Sequence, residues 1–334
     1  MTPASSPLAG VIAISGHEAG RGANTDLVRF TGWGRRRRGR RRPAVRVTTM
    51  LVAGLTVAAA GAGPVAAAPP DPLVEPRGFF SGIPYELAHP GGSLPGTNDW
   101  ACRPTPAHPR PVILVHGQGG GRVTNWGAYG AVLANRGYCV YALTYGAVDG
   151  RWPLSALGGL GEIPGSAEQF GDFLDAVLAA TGADSADVVG HSRGTYVPVY
   201  HLKTAGRPQR ISTLVALAPL WNGSQTDPPR TGMRPGGDVH EVVWRGGSPY
   251  LPGVTHVNIS TRYDEIVVPY TSGQVPGRRG EDVTNIVVQD HCPQDYSDHL
   301  AIAGSRRTVL MVLNALDPAH PVTVPCEPVP PFSG

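Results

Sequence analysis

The chain has 334 residues, 41% hydrophobic and 16% charged, with a formal net charge of +3. It is long enough to bury a full core, as one large domain or two ordinary ones. Its basicity is local: residues 1–68 hold ten arginines against Glu18 and Asp26, and the rest carries 18 basic and 23 acidic residues. No basic stripe interleaved with aromatics remains in 69–334, which excludes nucleic acid as the expected partner.

Residues 1–34 have no steady period and read as an extended leader or as a start site placed too early. RRRRGRRR at 35–42 and Arg46 precede a weakly apolar, uncharged stretch at 50–68. Basic region, apolar region and small residues are the order of a secretory signal. The small residues allow cleavage after Ala67 or Ala68. A single membrane anchor competes, but glycine and proline dilute the apolar run. The expectation is an exported, extracellular protein without a stable transmembrane anchor. The pair Arg41 and Arg42 lies among too many arginines to specify a twin-arginine route.

Residues 69–110 are rich in proline and glycine and read as an extended lead-in. Beyond them, short apolar runs alternate with helical spacing. Strands are expected in PVILVHG (111–117), YCVYALTYG (138–146), DVVGHS (187–192), ISTLVALAP (211–219), THVNIST (255–261) and VTNIVVQD (283–290). Helices are expected in GAYGAVLANRG (127–137), SAEQFGDFLDAVLAATG (166–182), from Ser192 to about Thr204, and in HLAIAGSRRTVLMVLNAL (299–316). Strands apolar on both faces and separated by helices predict a mostly parallel central sheet with helices on both faces, in one α/β domain within 69–334. The turn-rich segment 221–252 interrupts this pattern. Such a loop is either a lid or pocket wall, or a mobile surface excursion.

Four cysteines in an exported chain suggest two disulfides. Three pairings are possible. Cys102 precedes one strand and Cys139 opens the next, so both lie near one sheet edge; Cys292 ends a late strand and Cys326 lies in the proline-rich tail. The expected pairs are Cys102–Cys139 and Cys292–Cys326. With no C-x-x-C, no zinc site is expected.

The chemistry centres on Gly190-His191-Ser192-Arg193-Gly194. G-x-S-x-G between a strand and a helix is a nucleophile elbow, which leaves a serine hydroxyl exposed at a sharp bend. A serine needs a base to take its proton and a third group to orient that base. Asp264, just past a late strand, is the expected acid; Glu265 is its rival, while Asp282 and Asp238 lie in polar surroundings. His299 is the expected base, at the mouth of the last helix. His291, His191 and His116 are the other candidates, with packing or loop-fixing roles the plainer reading for each. The glycine-rich VILVHGQGGG can present amides to negative charge, the donors being Gln118 and Arg193. It lacks the Gly-Lys-Ser/Thr ending of a phosphate loop, and Arg122 stands where a dinucleotide fingerprint needs its third glycine. A histidine base implies activity that falls below about pH 6.5, where an ordinary imidazole takes up a proton.

From about Asn98 to Cys326 the chain resembles the secreted class 2 bacterial lipases and esterases of the α/β-hydrolase superfamily, particularly actinobacterial members. The stretches NDWACRPTPAHPRPVILVHG, NWGAYGAVLANRGYCVYALTYG, VVGHSRGTYVP, YDEIVVPY and DHCPQDYSDHLAIA carry the resemblance in order and spacing. It implies a Ser192, Asp264, His299 triad, oxyanion amides at Gln118 and Arg193, the two disulfides above, no cofactor, and carboxylester substrates, either small molecules or lipids at a lipid–water interface, taken by a monomer. Thr195 departs from the family, which often has a glycine there, and the GQGGG loop is a variable feature. A thioesterase, a peptidase, a polyester hydrolase or an inactive exported binding module would use the same parts.

Overall fold

The computed structural model describes residues 71–333; the expected leader, its apolar segment and both cleavage positions lie outside them. Six strands form one sheet: β1 (Val112–Val115), β2 (Val140–Leu143), β3 (Ala186–His191), β4 (Ile211–Leu217), β5 (Thr255–Ser260) and β6 (Asp282–Val287). Their order is β2-β1-β3-β4-β5-β6, and every neighbouring pair is parallel. The helices are α1 (Ile83–Ala88), α2 (Gly127–Asn135), α3 (Ile163–Thr181), α4 (Tyr196–Ala205), α5 (Asp238–Val243) and α6 (Arg306–Leu316).

Strand side chains alternate between two faces, and both faces are covered. Ile113, Val115, Val188 and Leu214 pack with Phe170 and Leu174 of α3, Val197 of α4 and Val243 of α5. Val112, Leu114, Val189 and Val215 point the other way, against Tyr129 and Val132 of α2 and Val309 and Val312 of α6. That double burial explains why β1 to β4 read as continuous apolar runs. At one sheet edge Asn98 imitates a strand: its side chain donates to the Ala142 carbonyl at 2.9 Å and accepts from the Ala142 amide at 2.8 Å. Cys102–Cys139 closes beside that edge, with Cα atoms 5.8 Å apart, and Cys292–Cys326 joins the tail, with Cα atoms 5.2 Å apart.

Two expectations need correction. The lead-in is not merely extended: a 3-10 turn over Phe79–Gly82 runs into α1, whose Pro84 sits in the first turn, where a missing N–H costs nothing. The last helix begins at Arg306 and not at His299. Residues Ala301–Ala303 form a separate 3-10 turn, and Ser305, with extended backbone, accepts from Thr308 N to cap α6. His299 therefore stands before a short turn.

Segment 221–252 is anchored by polar contacts to the helical layer. Tyr196 of α4 donates its hydroxyl toward the carbonyls of Leu220 and Trp221, both at 3.0 Å. Lys203, also on α4, meets the carbonyls of Val243 at 2.5 Å, Arg245 at 3.2 Å and Ser248. Replacing Lys203 by Met leaves those acceptors without their ammonium, at a cost of about 1–3 kcal/mol. Lys203→Met should lower Tm by several degrees and speed proteolysis within 243–252; unchanged cleavage would show that the segment is held elsewhere.

Candidate active site

β3 ends at His191, and the chain turns at once into helix through Ser192–Thr195 and α4. Ser192 has φ of 53°, left-handed backbone that costs a non-glycine residue about 1–3 kcal/mol. The turn is possible because both glycines of the motif sit against other backbone. A Cβ on Gly194 would lie 2.1 Å from the Val115 carbonyl oxygen, and one on Gly190 would lie 2.7 Å from the Gly194 oxygen. Thr195, where the family often has glycine, is fully buried and turns its hydroxyl back to the Ser192 carbonyl at 2.7 Å.

The structure brings together the three residues singled out in the sequence. His299 Nε2 lies 2.8 Å from Ser192 Oγ, and its Nδ1 lies 2.9 and 3.0 Å from the two Asp264 carboxylate oxygens. All three side chains are buried. Asp264 also accepts the amides of Ile266 at 3.0 Å and Val267 at 2.6 Å, so its carboxylate is fixed by the turn after β5. The rival groups lie elsewhere. Glu265 accepts the backbone N–H of His299, Asp282 accepts from Thr255 at the exposed start of β6, Asp238 lies in the first turn of α5, and His291 is exposed.

His116 fixes the glycine-rich loop after β1. Its Nδ1 lies 2.7 Å from the Gly117 carbonyl, its Nε2 accepts the Tyr145 amide at 3.2 Å, and its ring stacks on that of Tyr145 at 4.3 Å. The loop's next residues bond to 158: Gly119 donates to Gly158 O at 2.8 Å, and Gly158 donates to Gly120 O at 2.6 Å. Among the described residues the amides of Gln118 and Arg193 have no acceptor, and both residues line a cavity of about 340 Å³ with Ser192 and His299. Phe79, Leu220, Met233, Ile266 and Leu300 give that cavity its apolar wall, and Ser224, Thr226 and Asp227 a polar one. Segment 221–252 thus supplies pocket wall. Asp227 is buried, and burial pushes its carboxyl up.

Several supporting residues carried no signal in the sequence. Asp295 is fully buried, pairs with Arg307 of α6 at 3.1 Å and accepts the Ser297 amide at 3.0 Å. Gln289 donates to the Asp295 carbonyl at 2.9 Å and to Thr261 Oγ1 at 2.8 Å. The tail closes the loop: Asp298 accepts the Phe332 amide at 2.5 Å, and the Ser333 carbonyl accepts the Phe79 amide at 3.1 Å. Sequence spacing reveals none of these, because burial and the partners on α6, after β5 and in the tail are not written in the local pattern. Among the described residues no group of three or more His, Cys, Asp or Glu could hold a metal ion.

Residues 109–209 match the family model described as Lipase (class 2). That stretch runs from just before β1 into the turn before β4, so it contains the glycine-rich loop and Ser192, while Asp264 and His299 lie beyond it. In three dimensions the chain resembles lipase B of Aspergillus fumigatus at 18% identity and a TM-score of 0.51, over 65% of this chain and 53% of that one. The chain thus has an α/β-hydrolase fold and spans about half the length of that lipase. Other similar structures are the mature form of Bacillus licheniformis lipase BlEst2 (12% identity, 64% and 94% coverage, TM-score 0.43) and a Pyrobaculum calidifontis esterase (14%, 63% and 77%, 0.43). No curated protein matches the chain in sequence.

Burial holds three histidines well below the usual imidazole range: His116 at about 4, His191 at about 3 and His256 at about 3. Unfolded, each takes a proton near pH 6.5. Between that pH and about 4 the unfolded chain binds more protons than the folded one, so stability falls as the pH falls through this window. Thermal unfolding followed from pH 7.5 to 4.5 should show a declining Tm. His256→Gln, far from Ser192 in the sheet, should flatten the decline; a variant as acid-sensitive as the parent would contradict the assignment.

Proposed function

We propose that the protein is an exported serine carboxylester hydrolase of the lipase and esterase type, related to secreted actinobacterial class 2 lipases. The observation that carries this reading is the continuous hydrogen-bonded line from Ser192 through His299 to Asp264 beside two unoccupied backbone donors. His299 Nε2 takes the Ser192 proton as Oγ bonds to the ester carbonyl carbon. The carbonyl oxygen becomes an oxyanion held by the amides of Gln118 and Arg193. Asp264 keeps its charge and stabilises the imidazolium; the C–O bond to the alcohol then breaks, and the alkoxide leaves with the proton from Nε2. Water repeats the sequence on the acyl-enzyme and releases the acid. Export fits the two disulfides, which persist in oxidising compartments, and no helix among the described residues is long and apolar enough to cross a membrane.

A lipid–water interface is the setting favoured by the surface around the oxyanion loop. Val148, Trp152, Leu154, Leu157 and Leu160 are exposed in the segment between β2 and α3, and Phe80, Ile83 and Leu87 in the turn and helix before β1. The indole of Trp152 donates to Glu86 at 3.2 Å and joins the two groups. Exposed apolar side chains gathered this way mark an interaction surface.

The first test is hydrolysis of p-nitrophenyl esters from acetyl to palmitoyl. Turnover by the wild type and loss to background in Ser192→Ala is the expected result, with thioester and peptide panels inactive. If no ester is turned over and a fluorophosphonate leaves Ser192 unlabelled, the chain is an inactive binding module. For the surface, Leu154→Ser with Leu157→Ser should reduce the ratio of emulsified to soluble ester hydrolysis by roughly tenfold. An unchanged ratio removes the interface from the proposal.

A further inference from the structure

The imidazole of His299 is held by Ser192 and Asp264, and its backbone is held by the residues next to each of them. His191 Nε2 lies 2.9 Å from the His299 carbonyl oxygen, and Glu265 Oε2 accepts the His299 N–H at 3.1 Å. The flanking carbonyls are already used: Asp298 O accepts from Ile302 N at 3.1 Å and Leu300 O from Ala303 N at 3.0 Å. The His299 carbonyl is thus left to a side chain. We propose that His191 and Glu265 are positioning residues, which clamp the two peptide groups of His299 and so aim its ring between Ser192 and Asp264.

The inference rests on the serine hydrolase reading, and the chemistry of His191 carries it further. Its ring is 2% exposed and lies beside the oxyanion loop, where a Cβ on Gly117 would come within 3.0 Å of Nδ1. A neutral imidazole has one N–H. At Nε2 that proton is donated to the His299 carbonyl; at Nδ1 it would leave a nitrogen lone pair facing a carbonyl oxygen at 2.9 Å. The contact of Nδ1 is the longer one, 3.2 Å to Asn125 Oδ1, an oxygen that already accepts the Gly117 amide at 3.2 Å. Glu265 adds a charge-assisted acceptor on the opposite peptide. His299 precedes a single 3-10 turn and has no helical ladder to fix it, so these two bonds replace one.

Displacement of a catalytic group by about 1 Å costs on the order of 100-fold. His191→Phe keeps the ring bulk and removes the N–H; His191→Gln keeps a donor where Nε2 stood. The clamp predicts that Phe lowers kcat by roughly 10- to 100-fold with KM within about twofold, and that Gln recovers most of the loss. The same split should appear in fluorophosphonate labelling of Ser192, in the inactivation rate and not in inhibitor affinity. Glu265→Leu and Glu265→Gln form the second pair, usable even if His191→Phe fails to fold: Leu slows labelling, and Gln, which keeps an acceptor oxygen, restores it. Wild type that labels, with His191→Phe or Glu265→Leu labelling equally fast, overturns the clamp alone. So does a loss in which the conservative variants fall as far as the apolar ones. Wild type that does not label overturns the hydrolase reading and the clamp with it.

Discussion

The whole site depends on one close approach of backbone to backbone. The elbow after β3 lies so near the end of β1 that Gly194 sits against the Val115 and His116 carbonyls, with no room for a side chain. That approach sets the left-handed turn at Ser192, lifts its hydroxyl above the sheet edge, and brings the amides of Arg193 and Gln118 to the same cavity. A sheet whose central strands end together at their carboxyl ends makes such a meeting of loops possible. The packed layers on both faces keep β1 and β3 from relaxing apart.

Different parts of the molecule were legible in the sequence to different degrees. The strands could be read because a sheet buried on both faces demands unbroken apolar runs, and the elbow because steric exclusion leaves only glycine on either side of the serine. Asp264 and His299 were legible through their place after late strands, and the geometry joins them to Ser192. Helical spacing misplaced the start of the last helix: the apolar residues of 299–303 serve a separate turn, and the spacing does not report the break at Gly304. The 3-10 turn at Phe79 was invisible because proline and glycine dominate its surroundings. The buried pair of Asp295 and Arg307 was invisible because a charge in sequence says nothing of its burial.

Polar groups under the site follow one economy. Histidines that fix loops, His116 and His191, are kept neutral by burial and use each ring nitrogen once, as donor or acceptor. The charged pair beneath the His299 loop is buried together, with Asp295 also accepting the Ser297 amide and Arg307 also donating to the Val288 carbonyl. An unpaired charge at either place would cost several kcal/mol. The site is thereby stiffened by groups whose protonation does not compete with that of the base.

The tail that reaches from Cys326 to Ser333 gives the molecule an order of assembly. Asp298, one residue before the base, is tied to Phe332, and Ser333 is tied to Phe79 at the cavity wall. A chain emerging amino end first therefore presents its serine more than a hundred residues before the segment that steadies its histidine. Until that stretch has docked and Cys326 has found Cys292, the loop that carries His299 lacks both of these ties.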